Sequence, residues 1–507
     1  MPKDFDVIVV GAGGSGLAAA VSAAENGCRV LVLEKRPEPG GTTGIAVGSF
    51  TANGTAMQRR SQIEDSLDHH SEDAGKFAPG SIEERNNDSL RRFFLSHSAE
   101  TLEWLREMGL SFHGPNPEPP NRVPRMHNVV PNAKAYITTL QSRLIMNGGE
   151  LVCSAQVKAL LTTDAGRVTG VEVVCQDGQT RKIHARRGVV LACGDYAGSH
   201  RLIAKHKGDR YGQINGINPH AAGEGHELAE SVGARLLNMD VTYGPEVRFM
   251  PPTGKTFFQQ LLATSGLMAR LAGRLLPWVP KFVVTAYIKR LLVTWQHPEN
   301  ALFDDGAILL NCDGRRFCNE KSWPDREIAI ADQPHKLAYL LLDERVAERY
   351  AKWPHFISTA PKIAYAYAND YLKLRPDIAV AADSVAALAR SRELNAENML
   401  KTVAEFNAVV RREMADPFGR TDDEHELSGS RWVLLGPACA YFTTTEGGAA
   451  IDESLRVLDQ EGNSIEGLYA VGQTGLGGQI LWGHGLHIGW ALTSGRLVGK
   501  VLGRTRA

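Results

Sequence analysis

The pattern of apolar and polar positions is clearest in the first forty residues. Phe5–Val10 is almost entirely apolar, as in a strand that is buried on both faces. A glycine cluster and an alanine-rich stretch follow, and a second apolar run, Val30–Leu33, ends at Glu34. Two apolar runs joined by a helical stretch predict a β-α-β unit with parallel strands.

The glycine cluster between these strands, residues 11–16, has the spacing of a dinucleotide-binding turn. Gly11 allows a tight turn, Gly13 lets a pyrophosphate approach the backbone, and Gly16 allows the helix to pack closely on the sheet. The first N–H groups of the helix would favour the diphosphate, and Glu34 would accept hydrogen bonds from a ribose 2′-OH.

A second glycine-rich turn, residues 35–44, directly follows Glu34 and indicates which dinucleotide binds. Nicotinamide-binding domains do not need a loop here. Two-dinucleotide-binding flavoproteins use it to approach the ribose, the pyrophosphate and the isoalloxazine. At the far end, residues 467–473 predict a short strand with a glycine turn, and residues 483–496 predict a loop that opens a helix. Both ends of the chain therefore contribute to one site, and we interpret its cofactor as FAD.

With these segments the chain resembles the fumarate reductase and succinate dehydrogenase flavoprotein superfamily, and within it the 3-ketosteroid dehydrogenase branch. The resemblance implies an α/β fold: a Rossmann-like, two-dinucleotide-binding FAD domain of the glutathione-reductase type with an inserted α+β substrate or capping domain. The stretches that carry it are the two glycine loops, 189–194, 222–227, 306–311, 314–320 and 472–496.

Three segments follow from this organisation. We predict a first part of the FAD domain at 1–240, the insert at 241–436 and a last part of the FAD domain at 437–507. By the resemblance, Val157 would contact adenine through its backbone. The candidate cofactor-binding residues are Gly11, Gly13, Gly14, Ser15, Gly16, Glu34, Lys35, Gly40, Gly41, Thr42, Thr43, Gly44, Val157, Ala192, Gly194, Gly472, Gln473, His487 and Ile488.

FAD is expected to bind non-covalently. Covalent members of the superfamily attach FAD through a histidine after the second glycine turn, and no histidine precedes His69 here.

Composition narrows the functional class. The 507 residues are 43% apolar, enough for at least two hydrophobic cores. A net charge of −1 argues against a nucleic-acid partner. Seven cysteines, an odd number without metal-ligand spacing, suggest free thiols in a reducing compartment. The few charged residues before Phe5 are too short for a signal peptide, so we expect a cytoplasmic protein.

Residues 255–298 are unusual because they include six basic residues and no acidic one, among many apolar and aromatic positions. No uncharged run approaches the ~20 residues of a spanning helix. Two compatible interpretations stay open: a capping lid whose apolar face meets the substrate, and basic amphipathic helices that lie on the inner face of a membrane. Both favour an apolar substrate.

The chain departs from the superfamily at its expected catalytic positions. Fumarate reductases place an arginine proton donor, and ketosteroid dehydrogenases a tyrosine, where this chain has Pro324. A second fumarate reductase arginine falls at Trp482. The tyrosine that polarises the ketone in the steroid enzymes falls at Leu481, whereas the glycine beside it is kept as Gly485. These departures argue against fumarate reduction.

Other groups could replace the missing ones. His484 lies between two glycines before the flavin-facing helix, and histidine exchanges protons near neutral pH. The cluster Arg122, Arg125 and His127 could recognise a carboxylate far from the substrate's ketone. The candidate catalytic residues are His484, Gly485, Arg326, Tyr243 and Tyr441.

Three functional hypotheses remain from the sequence. The first is a dehydrogenase that desaturates an apolar, steroid-like cyclic ketone at the α,β position by hydride transfer to flavin N5, with an unknown electron acceptor. The second is a reductase of a conjugated carboxylic acid. The third is a flavin-binding protein without turnover.

Overall fold

The computed structural model describes residues 5–252, 286, 289–290, 292–294, 297–360, 364–421 and 423–504. The strands in these residues, β1 to β23 in chain order, are Phe5–Val10, Val30–Leu33, Ser49–Thr51, Ser111–Asn116, Met126–Val130, Glu150–Val152, Gln156–Thr162, Val168–Val174, Thr180–Leu191, Asn215–Gly216, Leu236–Leu237, Thr242–Tyr243, Glu246–Phe249, Ile308–Leu310, Ala338–Leu342, Ser358–Ala360, Ala364–Ala366, Ala379–Ala382, Trp432–Phe442, Thr444–Thr445, Gly448–Ala449, Arg456–Leu458 and Ser464–Ala470.

The α-helices of the same residues, α1 to α16 in chain order, are Gly14–Glu25, Gly41–Ile45, Ala56–Arg60, Leu67–Ala74, Gly80–Glu83, Asp88–Glu107, Lys134–Met146, His200–Lys207, Glu224–Glu230, Ala301–Asp304, Asp325–Ala331, Glu344–Arg349, Ala368–Leu374, Val385–Ser391, Ala396–Val410 and Leu486–Arg504.

The first sheet places the predicted N-terminal strand at its centre. Its order is β22-β23-β9-β1-β2-β6, and all neighbours from β23 to β6 run parallel. Val9 lies opposite Val32 on one side and Val190 on the other, and all three are fully buried. A strand covered on both faces needs this continuous apolar run, so the predicted β-α-β unit is confirmed.

Two glycines make the turn between β1 and α1 possible. Gly11 has a φ of +106°, and a Cβ on it would lie 2.5 Å from the carbonyl oxygen of Ala192 in the neighbouring strand connection. A Cβ on Gly16 would collide with the carbonyl oxygen of Gly11. Neither position accepts a side chain without moving the helix away from the sheet.

The C-terminal helix α16 packs on α1 and so returns the end of the chain to its beginning. Gly495 and Gly499 face α1, where a Cβ would meet the backbone of Ser15 and Ala23. Ser22 Oγ donates a hydrogen bond of 2.7 Å to the Arg496 carbonyl. Small residues on both helices allow this close approach, and it brings the start of α16 to the end of β1.

The second sheet forms the core of the inserted region. Its path is β10-β19-β15-β14, with β13 and β18 also paired to the long strand β19. Because β10 lies at residues 215–216 and β19 runs to Phe442, this sheet extends beyond both predicted insert boundaries, 241 and 436.

Most of the 255–298 stretch lies outside the described residues, and with it both interpretations of that stretch. Among the residues that are described, no helix has the length and apolar character to cross a membrane. The cysteines that the structure describes are all free thiols.

Candidate active site

A cavity of about 310 Å³ lies where the two N-terminal glycine loops, the end of β9 and the start of α16 meet. Gly16, Gly40, Gly44 and Gly472 are not among the described residues that line it. The predicted cofactor-binding residues that do line it are Gly11, Gly13, Gly14, Ser15, Glu34, Lys35, Gly41, Thr42, Thr43, Val157, Ala192, Gly194, Gln473, His487 and Ile488.

One end of the cavity is organised by Glu34. Its two carboxylate oxygens accept hydrogen bonds from the backbone N–H groups of Ala12, at 2.8 Å, and Arg36, at 2.9 Å. This buried carboxylate thereby joins both glycine loops and is held still beside the cavity. Its remaining lone pairs suit a ribose hydroxyl.

In the middle of the cavity, the backbone of the two glycine loops is not covered by side chains. The atom nearest to a Cβ built on Gly13 is the Gly41 Cα, 3.8 Å away, so the two loops present an open backbone surface beside the N-terminus of α1. Gln473 lines the cavity with a buried Oε1 that has no hydrogen-bond partner among the described residues. These features fit a bound dinucleotide with its diphosphate at the helix N-terminus.

The other end is formed by the loop before α16. Gly485 has a φ of +83°, and a Cβ there would lie 2.9 Å from the Thr51 backbone nitrogen. Thr51 Oγ1 also donates a 2.7 Å hydrogen bond to the His484 carbonyl. The loop is thus fixed against β3, and the first turn of α16 lies at the cavity, where its dipole would stabilise the negative charge of reduced flavin.

His484 is paired with Glu118, a residue that sequence analysis did not select. One oxygen of Glu118 accepts a 2.9 Å hydrogen bond from the His484 backbone N–H and lies 2.5 Å from its Nδ1. Burial opposes the charged imidazolium, but the hydrogen bond and charge of Glu118, with the charge of Glu246, outweigh it and raise the pKa of His484 above its ordinary value. Nδ1 is engaged, so Nε2 is the ring nitrogen left for proton exchange.

Two further basic side chains at this end also have their own carboxylates. His487 Nε2 lies 2.8 Å from Glu446 Oε1, and the second Glu446 oxygen accepts from the Leu481 N–H at 3.1 Å. Arg248 Nη2 lies 2.7 Å from Glu246 Oε2. Glu446 is fully buried, so its charge is held in place against His487.

Aromatic side chains also line this end of the cavity. The rings of Tyr243 and Trp482, both lining the cavity, lie 5.4 Å apart. Burial raises the pKa of Tyr243 well above its ordinary value, so its hydroxyl stays protonated and can only donate or accept a hydrogen bond. Trp482 gives an apolar surface at the position where fumarate reductases are expected to have an arginine.

Asp195 is a second functional candidate that the sequence did not reveal. It lines the cavity, and burial raises its pKa to about 6. Thr444 Oγ1 donates to it at 2.9 Å and accepts at 2.9 Å from Gln473 Nε2. This chain of hydrogen bonds orients the Gln473 amide toward the cofactor cavity.

The structure does not bring Arg326 to the cavity lining. Its guanidinium is buried, lies 3.0 Å from Glu327 Oε1 through Nε, and donates to the Glu320 carbonyl at 3.0 Å. An arginine engaged in this way holds the inserted region together and does not meet substrate. Tyr441 likewise lies away from the lining, with its hydroxyl 3.6 Å from Met250 Sδ.

The arginines of the basic cluster at residues 122–127 form ion pairs with aspartates of the same protein. Arg125 is fully buried and lies 2.7 Å from both Asp65 Oδ1 and Asp73 Oδ2. Arg122 also contacts Asp73, at 3.0 Å. Burial lowers the pKa of His127 to about 4, so its ring is neutral. The predicted carboxylate-recognition cluster is therefore not free to bind a substrate carboxylate, because Asp65 and Asp73 already compensate its arginines.

The acidic partners of these basic residues have only weak signals in the sequence. Glu118 lies in a proline-rich loop, and Glu246 alternates with Arg248 on a short strand. Neither pattern indicates a catalytic role unless the basic side chain that each glutamate contacts in the fold is known. Of the catalytic candidates, His484, Gly485 and Tyr243 line the cavity.

Comparison with known proteins agrees with this geometry. The family model described as "FAD binding domain" matches residues 6–483. A fumarate reductase (cytochrome) of Shewanella frigidimarina is 26% identical, over 98% of this chain and 77% of its own length. A vinyl phenol reductase of Lactiplantibacillus plantarum is 25% identical, over 98% of this chain and 96% of its own.

Two solved structures share the fold. The open conformation of a flavocytochrome c3 fumarate reductase superposes with a TM-score of 0.73 at 24% identity, covering 99% of this chain and 79% of that one. The 3-ketosteroid delta1-dehydrogenase from Sterolibacterium denitrificans superposes with a TM-score of 0.64 at 19% identity, covering 99% of both chains.

The matched range includes both glycine loops and reaches Gly483, so the predicted cofactor, FAD, and the predicted α/β fold are confirmed. The chain belongs to the FAD-binding-domain family of the fumarate reductase and succinate dehydrogenase flavoproteins, and it is an FAD-dependent oxidoreductase.

Proposed function

We propose that this oxidoreductase desaturates a neutral, apolar cyclic ketone, steroid-like in character, at its α,β position. The observation that carries the proposal concerns the end of the cavity next to the loop before α16. There, each basic side chain is already paired with a carboxylate of the protein. His484 with Glu118, His487 with Glu446 and Arg248 with Glu246 are each a basic group with its own carboxylate. A dicarboxylate would need cations that are not already compensated.

We assign to His484 the removal of the substrate proton. Bound FAD supplies the hydride acceptor. Glu118 orients the imidazole through Nδ1, which leaves Nε2 to take a proton from the carbon next to the carbonyl. The raised pKa makes this imidazole a stronger base than an ordinary histidine. Tyr243 and Trp482 would pack against the apolar body of the ketone.

A second candidate is the reverse chemistry, reduction of a conjugated double bond. Two observations favour it. A histidine with a raised pKa holds its proton to higher pH than an ordinary histidine and can deliver that proton to carbon. The curated relatives that match over most of this chain are named as reductases. Pro324 and Trp482 argue against fumarate itself as the substrate.

Anaerobic mixing separates these candidates. Oxidised enzyme mixed with saturated cyclic ketones should lose its flavin absorbance if it is a ketone dehydrogenase. Chemically reduced enzyme mixed with enones, fumarate or acrylates should instead be reoxidised if it is a reductase. Bleaching by neutral ketones supports the proposal, reoxidation by acids contradicts it, and inertness to the whole panel would indicate a flavin-binding protein without turnover.

A further inference from the structure

Asp195 is a buried carboxylate in the wall of the FAD cavity, and the proposed reaction does not use it. Its Oδ1 accepts a hydrogen bond of 2.9 Å from the backbone N–H of Ala197, and its Oδ2 accepts one of 2.9 Å from Thr444 Oγ1. Both donors are neutral. Glu446, the buried carboxylate nearby, differs in this respect, because its Oε1 lies 2.8 Å from His487 Nε2.

The hydrogen-bond chain around Asp195 accommodates both of its protonation states. When Asp195 is a carboxylate, it accepts the Thr444 O–H, and Thr444 Oγ1 accepts from Gln473 Nε2 at 2.9 Å. When Asp195 is a carboxylic acid, it can donate through Oδ2 to Thr444 Oγ1, whose own proton then turns to the Thr445 carbonyl, 3.5 Å away. Gln473 Nε2 keeps its 3.0 Å contact with that carbonyl in both states. A proton can therefore be added to Asp195 without loss of these contacts.

The charges around Asp195 favour the uptake of a proton when a further negative charge arrives in the cavity. Burial raises the pKa of Asp195 to about 6, with a contribution from the charge of Glu446, although the two hydrogen bonds and the charge of His487 lower it. Tyr196 also faces Asp195 and stays protonated, because burial raises the phenol pKa. Since Glu446 already contacts His487, Asp195 is the carboxylate of this group that has only neutral partners. A nearby negative charge disfavours an ionised carboxylate further.

We propose that Asp195 takes up a proton from solvent when the bound FAD is reduced. A hydride brings two electrons and one proton to the flavin, which then carries a negative charge. The second proton, from water, converts the Asp195 carboxylate into the neutral acid, so the summed charge of flavin and Asp195 stays the same. Oxidation of the flavin returns this proton to solvent. The inference depends on bound FAD and not on which substrate reduces it.

The reduction potential of the full-length, FAD-loaded protein tests this proposal. Anaerobic equilibration with reference dyes, from acid to mildly alkaline pH, gives the potential at each pH. Each proton taken up changes the equilibrium constant of reduction tenfold per pH unit, which is ~30 mV for a two-electron couple. Hydride uptake alone therefore lowers the potential by ~30 mV per pH unit. Uptake by Asp195 should double this slope above about pH 6, where the oxidised protein holds Asp195 as a carboxylate.

Asp195→Asn is the decisive variant, because an amide has the shape and the hydrogen-bonding groups of the protonated acid. Its potential should fall by only ~30 mV per pH unit throughout. It should equal the potential of the parent in acid and lie above it at alkaline pH. Glu224→Gln is the matched control. Glu224 also lines the cavity but pairs with Lys35, so this variant should keep the pH dependence of the parent.

A parent potential that falls by only ~30 mV per pH unit over the whole range would overturn the proposal. A steeper dependence that persists in Asp195→Asn would overturn it as well, since another group would then take up the proton, and so would its loss in Glu224→Gln. If Asp195→Asn does not bind FAD, Thr444→Val decides. Without the Thr444 O–H the pKa of Asp195 rises, so the steeper dependence should begin at a higher pH, and an unchanged onset contradicts the proposal.

Discussion

At the residue scale, the proposed proton transfer depends on His484 and on Glu118, the carboxylate that contacts its ring. Sequence position alone places His484 between two glycines at the start of a helix. Glu118, 366 residues away in the chain, decides its ring orientation and raises its pKa. The pair is therefore the first target for mutation.

Replacing His484 by alanine should leave the FAD spectrum intact and slow flavin reduction by the substrate by about 10²–10⁴, the usual cost of losing a general acid or base. Stopped-flow absorbance under anaerobic conditions measures this rate. The variant His484→Gln keeps a donor but cannot take a proton, so partial activity would indicate carbonyl polarisation and no activity would indicate proton transfer. An alanine variant that reacts at the parent rate excludes His484 from the chemistry.

Glu118→Gln should move the pH dependence of the same reaction. In the desaturation direction His484 must be neutral, so the rate rises with pH through the His484 pKa, which lies above its ordinary value. Without the Glu118 charge the pKa of His484 falls, and the rising limb shifts to lower pH. Measuring flavin reduction across pH 5–9 checks the direction. A limb that stays in place would mean that another group titrates.

Glu34→Ala should weaken FAD retention by roughly 1.5–3 kcal/mol, the value of a hydrogen bond to a charged group. The substitution also leaves the N–H groups of Ala12 and Arg36 without their acceptor, which loosens both glycine loops. Fluorescence titration of the apoprotein with FAD gives the affinity. Glu38→Ala, an exposed glutamate in the second loop, is the control. Equal affinity in both variants would show that another group holds the ribose.

At the scale of elements, the start of α16 is held against β3 by the glycine that precedes it, Gly485. Gly485→Ala places a side chain at φ +83° and drives its Cβ to 2.7 Å from Thr51 Oγ1. We expect a loss of about 1–3 kcal/mol in the stability of the FAD-bound state, because the left-handed conformation and the contact both disfavour alanine. The temperature of flavin release, followed by fluorescence, measures it.

Gly80→Ala is the matched control for this substitution. Gly80 starts the short helix α5, its φ is not positive, and a Cβ there meets no atom within 4 Å. If Gly485→Ala releases FAD at the same temperature as Gly80→Ala, the loop before α16 is not held against β3 as described.

At the scale of the whole molecule, FAD connects segments that are distant in the chain. The cavity is lined by the first β-α-β unit, by Val157 and by the start of α16, so bound FAD should stabilise the entire FAD domain. Adding FAD at about 100-fold its dissociation constant should raise the stability of the apoprotein by ~2.7 kcal/mol. Differential scanning calorimetry with and without FAD measures this.

Acid precipitation of the same preparation tests the expected non-covalent attachment. FAD should remain in the supernatant. A yellow pellet would contradict the prediction made from the absence of a histidine before His69.

The sequence by itself determined the cofactor site and the central strands. Gly11 and Gly16 are required by local geometry, a positive φ in one case and a helix contact in the other, and such requirements can be recognised from residue type and spacing alone. A strand buried on both faces can likewise be predicted from a continuous apolar run such as Phe5–Val10.

Only the tertiary structure decided which charged residues reach the cavity and which are engaged elsewhere. Arg326 follows the position of the missing proton donor, yet its charge is bound by its neighbour Glu327 in the core. In the sequence His484 has no acidic neighbour, yet Glu118 from a distant loop contacts it and makes it a stronger base. The physical reason is that burial and the nearest opposite charge set the protonation of a side chain, and both are properties of the folded chain and not of sequence spacing.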